Sequence, residues 1–436
     1  MTYDPTTPRT HKRLTRREVL RGAAAAATAP YVLTGSALGA ADLAPASDRV
    51  TVACVGVRNR GARLVKSLLG DRGVQVAAVC DVDRSVRRRS VNRAAGARGA
   101  RPAEATDFRR LAARDDIDAA VVATPDHTHA LIALAMLRAG KHVYVEPPAA
   151  LTIRNGRRFA DAAIDADRVV QVGSPQPASR THRLAAQLVE AGAIGRLLRV
   201  EITLPRRAAS PAPWTPQPVP AGFDYDAWLG PAPWAPYTPA RCHYNWRFIT
   251  DYSGGELTHT AWRALDLARR LIGQPGPVAV EAAGERFEAG LYDTFHRVRV
   301  EWAFAGGEAV ACESGQSAAT RLIGEAGWID AETLGASSPE VLRAGAPCES
   351  HRTGRGLLPP GGSPVRQFIA AVRGSRPPGG AVEAAHRTAT MCHLGEIAMR
   401  LGRPVQWDPA AESFVGDAEA EKSPACHRPC REGWAL

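Results

Sequence analysis

The feature that most constrains the fold of this chain is an apolar run over residues 49–57 that ends in a glycine turn. A helix-like segment (residues 61–69) and a second apolar run (residues 74–80) follow it, and shorter apolar runs cover residues 118–123 and 142–145. Continuous apolar runs of this kind are typical of parallel strands that are buried on both faces. Their alternation with helices predicts an α/β fold with a doubly wound parallel sheet, which binds ligands at the carboxyl ends of its strands.

The glycine turn carries part of a dinucleotide-binding pattern. Gly56 and Gly61 occupy the first and third positions of G-x-G-x-x-G, and Asp81 lies 20 residues beyond Gly61. An acid at this position accepts hydrogen bonds from the ribose of NAD and repels the 2′-phosphate of NADP, so the pattern favours NAD without excluding NADP. Arg58 replaces the middle glycine, where it either pairs with the diphosphate or blocks it. A solvated loop acid is the structural alternative for Asp81.

Two consecutive arginines near the N-terminus predict an export signal. Arg16 and Arg17 precede a weakly apolar run over residues 22–38, which ends in small residues. This order is typical of a twin-arginine signal peptide, here residues 1–41, and predicts export by that machinery to the periplasm or the cell exterior. An ordinary basic amphipathic N-terminus is the alternative. Since no apolar stretch reaches 18 residues, we expect no transmembrane segment in the mature chain.

Composition favours a globular protein and argues against a nucleic-acid partner. The chain is 45% hydrophobic and 23% charged, and its formal charge of +11 comes mainly from arginines dispersed among acids. The densest basic run, Arg84–Arg89, contains no aromatic residue on which a base could stack. Only Cys426 and Cys430, among eight cysteines, lie close together. They make a poor zinc pattern, so we predict no metal site, and both a disulfide and a pair of free thiols remain open.

Several longer motifs add to the glycine turn. They are Ala123-Thr124-Pro125-Asp126-His127-Thr128-His129-Ala130, Val145-Glu146-Pro147-Pro148, Val172-Gly173-Ser174, Gly192-Ala193-Ile194-Gly195, residues 225–233, Asn245-Trp246-Arg247, residues 401–408 and Arg431-Glu432-Gly433-Trp434. Together the motifs resemble the Gfo/Idh/MocA oxidoreductases nearly end to end. The resemblance is strongest to the secreted, twin-arginine branch that includes NAD-dependent glycoside hydrolases.

The resemblance implies two domains behind the signal peptide. A Rossmann domain is expected over residues 48–168, and an α+β domain for substrate binding and oligomerisation over residues 169–410, with an open, mostly antiparallel sheet. A tail, residues 411–436, is expected to pack back onto the body. Alternating polar and apolar residues at 196–204 and 297–304 independently predict half-buried strands. A homo-oligomer is expected.

The resemblance also implies which residues contact the cofactor, NAD. They are Gly56, Arg58, Asn59, Arg60, Gly61, Asp81, Thr124, Pro125, His129 and Glu146. For His129 there is a structural alternative, in which a histidine at a helix N-terminus satisfies backbone groups. The predicted substrate contacts are His243, Tyr244 and Arg247, with packing within a loop as the alternative for His243 and Tyr244.

The positions at which the family carries its catalytic residues have changed. Pro147 stands at the position of the family lysine, and Pro147 can neither transfer a proton nor donate a hydrogen bond. His259 and Arg263 stand at the positions of the family aspartate and histidine, four residues apart on a predicted helix. Arginine is a poor base, whereas histidine titrates close to neutrality. We therefore predict His259 as the base and Arg263 as a clamp for an anionic substrate, unless both are packed or surface residues left after activity was lost.

Three functions fit these residues. The first is an NAD(P)-dependent oxidoreductase that acts on the CH–OH group of a sugar or polyol derivative with atypical catalytic residues. The second is a non-catalytic protein on the same fold that binds a nucleotide or a sugar. The third is an NAD-dependent glycosidase, which also needs a base near the sugar.

Overall fold

A computed structural model describes residue 45 and residues 48–98, 101–173, 180–206, 214–343, 363–374 and 382–434. The signal peptide expected over residues 1–41 lies outside these residues. In the described part of the chain, no helix combines the length and the apolar character that crossing a bilayer requires.

The predicted parallel sheet forms from the early apolar runs. Within the described residues its order is β3-β2-β1-β4-β5-β6, and every neighbouring pair is parallel. The strands are β1 (Val50–Val55), β2 (Val74–Cys80), β3 (Ala103–Ala105), β4 (Ala119–Val122), β5 (His142–Val145) and β6 (Val170–Val172). The helices between them are α1 (Arg60–Leu69), α2 (Arg84–Arg98), α3 (Arg109–Ala112), α4 (Asp126–Arg138) and α5 (Ile153–Asp165). Because β6 belongs to this sheet, the sheet continues past residue 168.

Burial on both faces explains why the strands of this sheet lack alternation. All four residues of β4 are buried, and so are five of the six residues of β1. On one side, the apolar face of α1, with Leu64 and Leu68, covers the sheet. The chain order reverses between β1 and β4, where a crevice opens at the carboxyl ends of the strands.

The second sheet is mixed and mostly antiparallel. Its order in the described residues is β12-β11-β7-β10-β9-β8-β13-β14, and only the β7–β10 pair is parallel. The strands are β7 (Leu197–Pro205), β8 (Ala279–Glu285), β9 (Arg297–Ala303), β10 (Ala309–Gly315), β11 (Ala319–Gly324), β12 (Gly327–Asp330), β13 (Val405–Asp408) and β14 (Ser413–Phe414). The expectation of an α/β fold with a second α+β part is confirmed.

Helices cover one face of the second sheet. The helices of the second half are α6 (Arg180–Glu190), α7 (Tyr225–Leu229), α8 (Trp262–Ile272), α9 (Pro339–Arg343), α10 (Pro364–Val372), α11 (Val382–Leu401) and α12 (Ala418–Glu421), with a 3₁₀ turn at Asn245–Phe248 and a π-helical turn at Leu257–Ala261. Of these, α8 and α11 pack on the second sheet, whereas α10 packs against α1 and β5 of the first half. Alternate residues of β9 are buried. Trp302 of this strand is fully buried, and its indole N–H donates to the carbonyl of Met391 on α11 at 3.0 Å. The opposite face exposes charged side chains such as Arg299 and Glu301.

The end of the chain contacts the first half of the molecule. The backbone N–H groups of Ile153 and Arg154 donate to the carbonyls of Ala425 and Cys426 at 3.0 and 3.1 Å. Cys426 and Cys430 are both free thiols in the structure. Burial raises the pKa of Cys426 to about 12, so that thiol stays protonated at neutral pH.

Candidate active site

A cavity of about 560 Å³ opens at the carboxyl ends of β1, β2, β4 and β5, where the loops of the second half face the first sheet. It brings together every predicted site residue except Gly61. The predicted residues that line it are Gly56, Arg58, Asn59, Arg60, Asp81, Thr124, Pro125, His129, Glu146, His243, Tyr244, Arg247, His259 and Arg263.

Gly61 stands behind the lining and sets the shape of the turn. A Cβ on Gly61 would lie 1.9 Å from the carbonyl oxygen of Gly56, so only glycine permits this approach of helix to strand. Gly56 has a φ of 76°, and a Cβ there would lie 2.8 Å from the backbone of Ala123. Asn59 also adopts a positive φ, 40°. The turn therefore places the N-terminus of α1 against the cavity, where helix N–H groups favour an anion.

The carboxylate of Asp81 is fixed by backbone hydrogen bonds and is not that of a solvated loop acid. Its two carboxylate oxygens accept hydrogen bonds from the backbone N–H groups of Val57 and Asp83, both at 2.9 Å. Burial raises the pKa of Asp81, and these two hydrogen bonds oppose the rise. The side chain is thus fixed at the end of β2, next to the glycine turn.

Arg58 turns its guanidinium toward the second half of the molecule. Its Nη1 lies 2.9 Å from Nδ1 of His243 and 3.5 Å from Oδ2 of Asp83. His243 has a φ of 60°, and burial together with the charge of Arg58 lowers its pKa. A neutral His243 can accept the hydrogen bond from Arg58 at Nδ1. Arg58 therefore joins the two walls of the cavity.

Glu146 is fixed from two sides at the end of β5. Its Oε2 accepts a hydrogen bond from Nε of Arg60 at 2.7 Å, and its Oε1 accepts one from the hydroxyl of Tyr144 at 2.8 Å. Pro147 follows it and also lines the cavity. The lysine position of the family therefore faces the cavity without a proton-transfer group.

Both ring nitrogens of His129 are used by the chain itself. Nδ1 lies 2.7 Å from the carbonyl oxygen of Pro148, and Nε2 lies 2.7 Å from that of Thr124. The residue is only 2% exposed. These contacts are those of the structural alternative, in which His129 satisfies backbone groups and holds the loops after β4 and β5 together.

His259 lies on the cavity wall beside a buried acid. Its Nε2 is 3.2 Å from Oδ2 of Asp126 and 2.9 Å from the hydroxyl oxygen of Ser253. The Asp126 side chain is 2% exposed, and within the described residues its Oδ2 makes no well-aligned hydrogen bond. The indole of Trp246 packs edge-on against the imidazole at 5.1 Å. The carboxylate thus favours a proton on Nε2 and leaves Nδ1 as the basic atom of the ring.

Ser253 is not arranged as a nucleophile. It is fully buried, its hydroxyl accepts a hydrogen bond from the N–H of Gly255 at 3.0 Å, and it meets the same imidazole nitrogen as Asp126. A Ser-His-Asp triad needs the acid and the serine on opposite ring nitrogens. Acyl transfer through Ser253 is therefore excluded by this geometry.

The helix that carries His259 and Arg263 is not regular. His259 lies in the π-helical turn, and α8 begins only at Trp262, one residue before Arg263. The regular α-helical spacing expected between the two residues is replaced by this wider turn, a feature that is frequent at functional sites. Both side chains nevertheless line the cavity.

Arg247 lies between two aromatic rings on the same wall. Its guanidinium carbon is 4.7 Å from the ring centre of Tyr244 and 4.5 Å from that of Trp246. Its Nη1 also donates to the carbonyl of Tyr244 at 3.1 Å. The Arg247 side chain is therefore held in place before any ligand arrives.

Sequence reasoning missed Asp126 as a functional residue. Its position in the sequence could have indicated a role, because Asp126 begins α4 directly after β4, at the edge of the sheet where ligands bind. It also missed four tryptophans of the described lining, Trp228, Trp246, Trp262 and Trp434. Of these, Trp434 comes from the end of the chain, where Arg109 stacks on its ring at 4.5 Å.

Family comparisons agree with both halves of this architecture. Residues 187–436 match the C-terminal alpha/beta domain of the Gfo/Idh/MocA oxidoreductase family, and residues 50–174 match its NAD-binding Rossmann fold. The chain belongs to the Gfo/Idh/MocA oxidoreductase family. The resemblance seen in the sequence and the expectation of an NAD-binding Rossmann fold are confirmed.

Among curated proteins, the chain is similar to a glycosyl hydrolase family 109 protein of Shewanella baltica and to an alpha-N-acetylgalactosaminidase of Shewanella oneidensis. Each is 31% identical over 163 residues, and the match covers 36% of this chain and 36% of the relative. The match thus spans about a third of the length of those relatives.

Among solved structures, the WlbA dehydrogenase from Bordetella pertussis, in complex with NADH and UDP-GlcNAcA, is similar with a TM-score of 0.61 and 20% identity. The alignment covers 83% of this chain and 99% of that one. GenD2 from gentamicin A biosynthesis, in complex with NAD, has a TM-score of 0.61 and 22% identity, over 83% of this chain and 97% of that one. These likenesses concern the fold.

The residues present fit NAD. The contact between Gly56 and Gly61 keeps side chains out of the turn, and Asp81 holds a carboxylate at the end of β2. Arg58 stands at the position of the middle glycine and lines the cavity, and its guanidinium contacts Asp83 and His243. These groups would hold a diphosphate and a ribose without a change in the fold.

Proposed function

We propose that this protein is an NAD-dependent oxidoreductase that oxidises a CH–OH group of a sugar or polyol derivative, with His259 as the base. The observation that carries the proposal is the contact between His259 and the buried carboxylate of Asp126 in the wall of the cavity. A carboxylate behind a histidine orients the imidazole and stabilises the imidazolium that forms when the ring takes up a proton, which is the arrangement that a general base uses.

The bound NAD would accept a hydride from the carbon of the alcohol. The chain supplies the other half of the chemistry, because the hydroxyl must lose its proton as the hydride leaves. Asp126 fixes the proton of the imidazole on Nε2, so Nδ1 of His259 takes the hydroxyl proton. The adjacent carboxylate stabilises the imidazolium that results. Pro147 takes no part in proton transfer, which leaves this task to His259.

To test the proposal, the purified protein is incubated with NAD and each member of a panel of sugars and polyols. The absorbance of NADH measures the rate at which NAD is reduced. We expect turnover with at least one of them, and a loss of about 10²-fold or more in His259→Gln, since general base catalysis contributes roughly that much. The nucleotide released on denaturation reports cofactor binding separately. Turnover that is unchanged in His259→Gln would remove the proposed base.

A second candidate is the NAD-dependent glycosidase. It is favoured by the names of the curated relatives from Shewanella, which match over part of the chain. The same base next to the sugar would serve it. Release of nitrophenol from nitrophenyl glycosides in the presence of NAD, without net NADH formation, distinguishes it from the dehydrogenase.

The non-catalytic alternative makes a different prediction. A chain that only binds nucleotide or sugar would show stoichiometric binding in calorimetry and no hydride transfer with any member of the panel. Pro147 at the lysine position is the observation in its favour.

We also propose that the protein is exported by the twin-arginine pathway, on the basis of Arg16 and Arg17. Replacement of both arginines by lysine should retain the protein in the cytoplasm, as measured by cell fractionation.

We further propose that the protein forms a homo-oligomer through the exposed face of the second sheet. This face carries Arg199 and Glu301, whose side chains pair at 3.0 Å. Light scattering of the purified protein measures it.

A further inference from the structure

The charges of the cavity are distributed unequally between its two walls. In the described lining, all the carboxylates belong to the half of the chain that forms the first sheet, and each already has a partner. They are Asp81 on two backbone N–H groups, Asp83 on Arg58, Asp107 on Arg109 at 3.5 Å, Asp126 on His259, and Glu146 on Arg60. The acids of this wall therefore already have partners within the protein.

The facing wall carries cations and aromatic rings. Its ionisable side chains in the described lining include Arg247, Arg263, His243 and His259, and it contributes no carboxylate there. An arginine offers only donors, arranged in a fork that matches a carboxylate or a phosphate. An anionic group of a ligand would therefore meet matching donors on this wall.

Arg247 is positioned in advance for such a ligand. The rings of Tyr244 and Trp246 hold its guanidinium at 4.7 and 4.5 Å, so little side-chain entropy remains to be lost on binding. Arg263 stands on the first turn of α8, close enough to Glu332 to help lower the pKa of that acid, although the hydrogen bond from His182 is the larger cause. Glu332 lies outside the described lining and pairs with His182 at 3.2 Å.

We propose that the substrate is a sugar or polyol that carries an anionic group, a carboxylate or a phosphate ester, and that Arg247 and Arg263 bind this group. The inference rests on the oxidoreductase function proposed above, because it places the anion on the wall that also carries His259. It predicts selection against neutral sugars of the same ring stereochemistry.

Binding of matched sugars to the NAD-saturated chain tests the proposal by calorimetry. The probes are D-glucose with D-glucuronate and D-glucose 6-phosphate, and D-galactose with D-galacturonate. We expect at least one anionic sugar to bind about tenfold or more tightly than its neutral parent, since a charge-assisted contact contributes about that factor. A comparison of the uronates with the phosphate ester shows whether the site binds a carboxylate or a phosphate. Equal affinity of the neutral and anionic members in both sets would overturn the proposal.

Variants assign the effect to the two arginines. Arg247→Gln and Arg263→Gln should each weaken binding of the anionic sugar about tenfold more than binding of its neutral parent, whereas Arg263→Lys should retain part of the preference. Arg321→Gln is the matched control, because Arg321 stacks on Trp328 at 4.6 Å on the exposed side of β11, outside the described cavity lining. An anionic preference that survives both glutamine variants would also contradict the assignment.

Failure of this inference differs from failure of the proposed function. If neutral sugars reduce NAD as efficiently as anionic ones, the oxidoreductase stands and the anionic substrate does not. If anionic sugars bind selectively and no NAD is reduced, the anion site stands and the oxidoreductase function does not.

Discussion

Asp126 and His259 are 133 residues apart in the sequence, and Nε2 of His259 lies 3.2 Å from Oδ2 of Asp126 in the wall of the cavity. Asp126 begins α4 in the first half of the molecule, and His259 lies in the π-helical turn of the second half. The proposed base is therefore complete only when both halves are folded against each other. The charge of the buried acid beside it favours a proton on Nε2 of His259.

Replacement of Asp126 by asparagine should lower kcat by about 10²–10⁴-fold, since loss of the acid behind a catalytic histidine disturbs its tautomer and removes charge stabilisation. The KM of the substrate should change little, because Asp126 acts through His259 rather than on the ligand. Steady-state kinetics on the substrate found in the panel measures both values.

Asp116→Asn is the control for this prediction, since Asp116 is an exposed acid that pairs with Arg114 at 2.6 Å and is not part of the described cavity lining. It should leave both constants unchanged. A rise in KM without a fall in kcat for Asp126→Asn would show that Asp126 contacts the ligand instead of positioning the base.

The sequence was sufficient for the fold where local periodicity decides the element. The apolar runs of β1, β2 and β4 and the glycine turn all carry their information within a few residues, and so does the alternation in β9. Burial on one face or two is what these patterns record. The two-part architecture followed from them together with the family resemblance.

The contacts inside the cavity could not be predicted in the same way. Arg58 was expected either to bind or to block a diphosphate, yet it meets His243, 185 residues away. The contact of Asp126 with His259 likewise joins segments that are distant in the sequence. Such pairs depend on how the second half packs on the first sheet, which no local spacing encodes. No local sequence pattern predicted the π-helical turn at Leu257–Ala261 either.

Gly61→Ala should abolish nucleotide binding, because its new Cβ would lie 1.9 Å from the carbonyl oxygen of Gly56 and would force the turn apart. The free energy of unfolding should fall by about 1–3 kcal/mol for the same reason. Nucleotide content after denaturation and thermal unfolding measure the two effects. Gly96→Ala is the matched control in α2, where a Cβ would meet nothing within 4 Å. Unimpaired NAD binding by Gly61→Ala would contradict the proposed role of the turn.

Glu412→Gln should destabilise the protein at neutral pH. Burial alone would raise the pKa of Glu412, but hydrogen bonds from His386 and Arg157 lower it to about 2. A carboxyl with a lowered folded pKa adds stability above its unfolded pKa, near 4.5, and loses it as the pH falls toward 2. The expected loss at pH 7 is about 3 kcal/mol as an upper bound.

Urea unfolding at pH 7 and at several acid values measures this loss. In Glu412→Gln the stability should also vary less between pH 4.5 and 2 than in the unaltered chain. Glu419→Gln is the matched control, since the Glu419 side chain is 72% exposed and pairs with Arg403 at the surface. It should change the free energy of unfolding by less than about 1 kcal/mol. Equal effects of the two variants would contradict the network around Glu412.

Two buried histidines should make the protein sensitive to mild acid. Burial lowers the pKa of both His127 and His393 to about 4, so each stays neutral in the folded chain and takes up a proton near pH 6.5 on unfolding. Stability is therefore complete above pH 6.5 and falls as the pH drops toward 4, by about 2 kcal/mol per histidine at pH 5.

The histidine variant His127→Gln should lose less stability between pH 7 and pH 5 than the unaltered chain, by about that 2 kcal/mol, even if its stability at pH 7 is lower. The reduced stability at pH 7 is expected because the ring packs against Trp228 and Tyr252 at 5.7 and 5.0 Å and its Nε2 contacts the carbonyl of Trp228 at 3.0 Å. Urea unfolding at the two pH values gives the difference directly. His427→Gln, a change at an exposed histidine, should leave that difference unaltered. If the stability of His127→Gln and of the unaltered chain depended on pH in the same way, the pKa of His127 in the folded protein would not be lowered.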